Sequence, residues 1–138
     1  MERILIADDE ADIREILKII LDKEGYGVIL AKDGQEALDL IKADKPDLII
    51  LDYLMPVLDG ISVCKALKKD DATKLIPVIM ATAYENEKEN GLAAGAVDFI
   101  SKPIDRIDFL LRIRSVLKVR HITNELQRVI AYIAELEK

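Results

Sequence analysis

The chain is poor in the residues that mark several large classes of protein. Its only cysteine is Cys64, so no intramolecular disulfide can form and the paired spacing of a zinc finger is absent. There is one histidine and no tryptophan, which leaves little for histidine-rich metal chemistry or a Ser-His catalytic pair. The longest uninterrupted apolar run, Val129–Ala134, is far shorter than the ~20 residues of a membrane span. Met1-Glu2-Arg3 leads directly into a short apolar run that ends in acids, which is not the form of a signal peptide. Basic charge is also in deficit: 20 Lys and Arg stand against 26 Asp and Glu, a net charge of −6. A sequence-independent nucleic-acid binder needs basic surface to displace counterions, so that class is excluded. The expectation is a cytoplasmic protein that binds neither membrane nor nucleic acid directly.

What is present is a globular balance, 51% hydrophobic and 33% charged over 138 residues, enough chain for one domain with a real core. Five short runs rich in Ile, Val and Leu recur along it: Arg3–Ala7, Gly27–Ala31, Asp47–Leu51, Pro77–Ala81 and Val97–Ile100. Their length and near-continuous apolarity suit strands buried on both faces. Helical patterns lie between them. Glu10–Glu24 places Ile13, Ile16, Leu17, Ile20 and Leu21 on one stripe and ends at Gly25, a C-cap residue type. Gln35–Ala43, Asp59–Lys69 and the short, polar Glu85–Ala94 follow, with Gly95 closing the last. The longest pattern starts at Asp105. Alternation of strand and helix implies a parallel sheet covered on both faces by right-handed crossovers. The fold expected is α/β and flavodoxin-like: a doubly wound five-stranded parallel sheet in the order 2-1-3-4-5.

In such a sheet ligands bind beyond the carboxyl ends of the strands, so the residues there bear on function. Asp8, Asp9 and Glu10 follow the first run, Asp52 follows the third, the fourth strand ends at Thr82, and Lys102 lies just past the fifth. Taken singly each has an ordinary explanation; an Asp at a strand-to-helix turn is often an N-cap. Together Asp8, Asp9, Asp52, Thr82 and Lys102 bring three carboxylates, a hydroxyl and an ammonium to one edge. Clustered carboxylates must take up protons or find counter-charge, and a hard divalent cation such as Mg²⁺ is the natural partner of an all-oxygen set. The constellation suits a phosphoryl group, with Asp52 as nucleophile and a cation and Lys102 neutralising charge on the phosphoryl oxygens.

The stretches Ile4-Leu5-Ile6-Ala7-Asp8-Asp9, Asp52-Tyr53-Leu54-Met55-Pro56-Val57-Leu58-Asp59-Gly60, Ala81-Thr82-Ala83 and Lys102-Pro103 resemble the receiver domain of two-component response regulators, in order and spacing. The resemblance covers roughly residues 2–118. It implies that Asp52 is the phosphoacceptor and that Mg²⁺ is held by Asp9, Asp52 and the backbone carbonyl of Leu54, with Asp8 acting through metal-bound water. It implies that Lys102 and Thr82 contact the phosphoryl group, that Phe99 is the switch aromatic, and that the peptide before Pro103 is cis. A sensor histidine kinase or phosphotransfer protein would be the donor. The responding face would be the Glu85–Ala94 helix, the Val97–Ile100 strand and the helix from Asp105. Such a domain promotes its own phosphorylation and dephosphorylation without turning over a separate substrate.

Three other readings compete. One is a receiver that docks or dimerises unphosphorylated. Another is a Mg²⁺-dependent phosphohydrolase of the haloacid dehalogenase type, which needs its nucleophile after the first strand and a second Asp two residues on; here Asp9 and Glu10 follow Asp8. A nucleotide or flavin binder is disfavoured because its Gly- or Ser/Thr-rich phosphate loop is replaced by acids.

Residues 1–118 account for the receiver, and residues 119–138 form a C-terminal helical extension. No Pro or Gly falls between Ile104 and Lys138. Val119, Ile122, Leu126, Val129, Ile133 and Leu136 alternate at spacings of three and four, the a/d pattern of a coiled coil. The expectation is a parallel homodimer or a linker to an output domain or protein whose identity the sequence leaves open.

Overall fold

The computed structural model describes all 138 residues, Met1 to Lys138. Strand β1 (Arg3–Ala7) is followed by α1 (Ala11–Lys23), β2 (Gly27–Ala31), α2 (Gly34–Asp44), β3 (Leu48–Asp52), α3 (Gly60–Lys69) and β4 (Val78–Thr82). A 3₁₀ turn at Glu85–Glu87 leads into α4 (Lys88–Ala94), then β5 (Asp98–Ser101) and α5 (Arg106–Leu136). All strand pairs are parallel, in the order β2-β1-β3-β4-β5, as the alternating pattern predicts. No helix is long and apolar enough to cross a membrane.

Strand periodicity divides the core. Successive side chains of a strand point to opposite faces. Leu5, Ala7, Ile49, Leu51, Val78 and Met80 therefore pack with the inner faces of α2 and α3. Ile4, Ile6, Leu48, Ile50, Ile79 and Ala81 pack with Leu17 and Leu21 of α1 and Phe109, Ile113 and Leu117 of α5. Burial of each such side chain contributes about 1.5–3 kcal/mol, and the two layers hold the central strands from both sides.

The helix boundaries have local causes. Asp33, Asp59 and Asp105 accept from the backbone N–H three residues on, at 2.8, 2.7 and 2.9 Å, each cap contributing about 1 kcal/mol. Gly25 and Gly95 close α1 and α4 with φ of 86° and 114°, conformations that cost a residue without Cβ little. The end of α2 departs from that rule, because Lys45 takes the left-handed conformation at φ 47°.

Three strands sit one residue later than their apolar runs suggest. β3, β4 and β5 end on Asp52, Thr82 and Ser101, because the ladder continues through the pairs Asp52↔Ala81 and Thr82↔Ser101. Two candidate site residues thus belong to the sheet itself rather than to the loops beyond it. The polar pattern Glu85–Ala94 also resolves into two pieces, the 3₁₀ turn and a seven-residue α4.

The last helix is one rod of 31 residues. Its first half is tied to the body: Arg112 bonds Asp98 at 2.7 Å and Arg114 bonds Glu24 at 2.8 Å, while Asp108, one turn back in the same helix, holds Arg112 at 3.0 Å. Leu117 is its last buried residue. Arg120 donates to the Asp47 carbonyl at 2.6 Å, and residues 121–138 are all exposed.

Candidate functional site

The strand ends converge as the topology requires. Asp8 leaves the end of β1 with its backbone N–H still bonded to the Ala31 carbonyl, and it is buried. Asp52 and Thr82, at the ends of β3 and β4, are buried as well. Lys102 follows β5, its N–H bonded to the Thr82 carbonyl, and reaches back across the edge. Its ammonium lies 3.0 Å from Asp52 Oδ1 and 3.1 Å from Asp8 Oδ2. Asp9 is exposed at the rim, and carboxylate oxygens of Asp8, Asp9 and Asp52 all lie within 4.8 Å of one another. Asp9, Asp52, Leu54, Thr82 and Lys102 line one open cavity of about 260 Å³, together with Glu10, Tyr53, Ala83 and Tyr84.

The electrostatics follow from that crowding. Burial pushes the Asp52 carboxyl up to about 6 from its ordinary 3.8; the Lys102 hydrogen bond opposes the rise, and the charges of Asp8 and Asp9 add to it. Burial by itself would lower the pKa of Lys102, but its bonds to Asp52 and Asp8 outweigh that and raise it. Three carboxylates with one ammonium among them leave negative charge uncompensated. All the donors are oxygen and the cavity is open, which is the donor set of a hard divalent cation with retained waters. The residues present therefore fit Mg²⁺.

Every residue singled out at this edge is brought together there. Asp8 has two jobs: its Oδ1 accepts from Glu10 N at 2.9 Å, the ordinary turn role, while Oδ2 holds Lys102. Thr82 Oγ1 accepts from Tyr84 N at 3.1 Å, so its hydroxyl is tethered to the loop that leads to α4. The Lys102–Pro103 peptide is cis. Phe99 is half-buried on β5. Its ring lies so close to α4 that a Cβ on Gly91 would stand 2.8 Å from Phe99 Cε1. Leu54 is exposed beside the cavity.

Three features near this edge are not legible from the strand-end pattern. Arg14, one turn into α1, donates to the Asp8 carbonyl at 2.7 Å and holds the acidic loop in place; an arginine near an acidic turn is the only signal. Tyr53, which lines the cavity, is the second; the Glu87 carboxylate raises the pKa of its phenol. Val57 is the third, at φ 71°, a strained conformation for a β-branched residue; no Gly or Asn announces it.

The chain matches the response regulator receiver domain over residues 4–114. It belongs to this family, the receiver domains of two-component systems. Response regulator MprA of Mycolicibacterium vanbaalenii is 44% identical over 120 residues, which is 84% of this chain and 50% of MprA. The chain thus spans about half the length of curated relatives of this kind. A putative response regulator from Chloroflexus aurantiacus superimposes with a TM-score of 0.82 at 34% identity, covering 85% of this chain and 98% of that one. The receiver domain of sensor histidine kinase PA1611 from Pseudomonas aeruginosa, solved with a magnesium ion coordinated in its active-site cleft, gives a TM-score of 0.79 at 28% identity, covering 85% of this chain and 98% of that one.

Proposed function

We propose that this receiver is a phosphorylation-dependent switch in which Asp52 takes a phosphoryl group from a histidine kinase or phosphotransfer protein. The observation that carries the reading is the bridge from Lys102 Nζ to Asp52 and Asp8 in a cavity that Thr82 also lines. Asp9, Asp52 and the Leu54 carbonyl would hold Mg²⁺, with Asp8 one water removed. The ion would supply charge neutralisation to the phosphoryl oxygens. An Asp52 carboxylate oxygen forms the new bond to phosphorus as the bond from phosphorus to the donor's imidazole nitrogen breaks, and that nitrogen keeps the electron pair. Lys102 holds Asp52 in place before transfer and balances the added charge after it. The domain acts as a signalling module: it promotes gain and loss of its own phosphoryl group without a separate substrate.

The new oxygens would accept from the Thr82 hydroxyl, whose Oγ1 accepts from Tyr84 N and so carries the loop with it. Moving Thr82 inward pulls on the loop before α4 and frees space for Phe99. A shift from mostly off to mostly on needs about 5.5 kcal/mol of differential stabilisation, and two or three charge-assisted hydrogen bonds at about 1.5–3 kcal/mol each can supply it. The face formed by α4, β5 and α5 is the responding surface, and the output protein or domain reads it.

The test is incubation with Mg²⁺ and a small acyl-phosphate donor, followed by intact mass. One phosphate per chain is expected on wild type, none on Asp52→Asn, and none with EDTA. No adduct on wild type, or an undiminished adduct on Asp52→Asn, refutes the reading and leaves an unphosphorylated docking module.

A further inference from the structure

We infer that the C-terminal part of α5 is a dimerisation helix whose occupant is a second copy of this chain. The inference does not rest on phosphorylation. Beyond Leu117 no residue is buried; the helix runs on to Leu136, and residues 121–138 are all exposed. An unsupported helix of this length is marginal in water. Val119, Ile122, Leu126, Val129, Ile133 and Leu136 are 49–66% exposed and form one continuous a/d stripe. Arg120, on another side of the rod, latches to Asp47; Val119 borders a cavity with Leu75 and Val97 of its own body, and the stripe from Ile122 onward does not line it.

Two features select a copy of the same chain over a different partner. The first is charge. Residues 119–138 carry Arg120, Arg128 and Lys138 against Glu125, Glu135 and Glu137, so the extension is neutral while the whole chain is at −6. Arg128 is bonded to Glu125 and Lys138 to Glu135 within the helix. A strongly acidic or basic partner finds no field to match, and a second copy meets no net repulsion. With Val119, Leu126 and Ile133 at a, the flanking pairs of a parallel pair are Lys118 with Thr123, Glu125 with Ile130, and Tyr132 with Glu137; none is like-charged. The antiparallel pairing, in which Leu126 faces Val129 and Ile133 faces Ile122, places no like charges together either.

The second feature is area. The six stripe residues expose on the order of 600 Å² per chain, so self-pairing would bury about 1,200 Å² in total, above the ~1,000 Å² that a specific interface requires. Ile130 and Tyr132, also exposed, widen the stripe on both flanks. A patch of that size on a monomer marks an interaction site.

The test is sedimentation equilibrium of the full chain without phosphodonor. The expected mass is about twice the 15.5 kDa of one chain, and Leu126→Glu with Val129→Glu should return it to one chain with the circular dichroism of the receiver intact. Cysteine pairing reads the orientation, since Cys64 is buried: Val129→Cys alone crosslinks in a parallel pair, and a mixture of Leu126→Cys and Val129→Cys chains crosslinks across in an antiparallel one. Either crosslink supports the inference. A monomer at every accessible concentration overturns it, and so does a dimer that survives the double glutamate variant, which would be built on another face.

Discussion

The acidic site should cost the unliganded protein stability, and Asp52 is where that cost is measurable. Its carboxyl is raised from 3.8 to about 6, by burial first and by Asp8 and Asp9 after that. A carboxyl raised on folding leaves the protein most stable when it is protonated in both states; the stability is lost as pH climbs through the folded value. The full difference corresponds to about 3 kcal/mol, and solvent screening at the mouth of an open cavity reduces it to about 1–2 kcal/mol. Asp52→Asn keeps the shape and removes the charge. In EDTA the variant should match wild type near pH 4, gain on it between about pH 4 and 7, and exceed it by about 1–2 kcal/mol at pH 7.5. For a chain of this size that is a rise of roughly 3–10 °C in Tm. Urea unfolding followed by circular dichroism at several pH values measures it. Mg²⁺ should then close the gap, since a ligand at 100 times its Kd adds about 2.7 kcal/mol to the form that binds it. Parallel pH profiles for the two proteins, or a variant less stable than wild type at pH 7.5, would refute the reasoning.

Lys102→Ala removes the ammonium that bridges Asp52 and Asp8. It should lower stability in EDTA at pH 7.5 by about 1–3 kcal/mol, with Mg²⁺ restoring more than it does in wild type; equal stability of the two proteins in EDTA would contradict this. Gly91→Ala drives a methyl to 2.8 Å from Phe99 Cε1 and should cost about 1–3 kcal/mol. Phe99→Leu removes that ring atom, so the double variant should recover at least ~0.5 kcal/mol relative to the sum of the single changes; strict additivity in urea unfolding would show that the two side chains do not meet.

Strand order, crossover pattern and the five polar strand-end residues were legible because they rest on strong signals. Apolar runs of strand length between amphipathic stripes leave one economical topology, and a parallel sheet delivers Asp8, Asp52, Thr82 and Lys102 to one edge. Less legible was what tertiary pairing decides. Asp52 reads as the first residue past its strand, yet the ladder extends through it, because hydrogen-bond register does not stop where apolarity does; Thr82 reads as the end of its strand, and β4 does end there. Arg14 was invisible since its partner is the Asp8 backbone carbonyl, which any residue would present. Val57 was invisible because the loop around it imposes its φ of 71° against its own preference.

The same reasoning says how the two ends of the molecule are connected. The cavity lies at the carboxyl edge of the sheet, and the unburied stretch of α5 extends past Asp47, which precedes β3 at the opposite edge. Between them runs one helix. It begins at Arg106, four residues after Lys102, and continues without a break to Leu136, about 46 Å at 1.5 Å per residue. Its base is held by Phe109 and Ile113 in the core and by Arg112 on Asp98, the first residue of β5. Only the stretch past Arg120 is free of the body, about 24 Å at 1.5 Å per residue, so a bend of about 5° there carries Leu136 through roughly 2 Å. The segment that carries Lys102 to the acids thus leads directly into the helix that bears the far stripe.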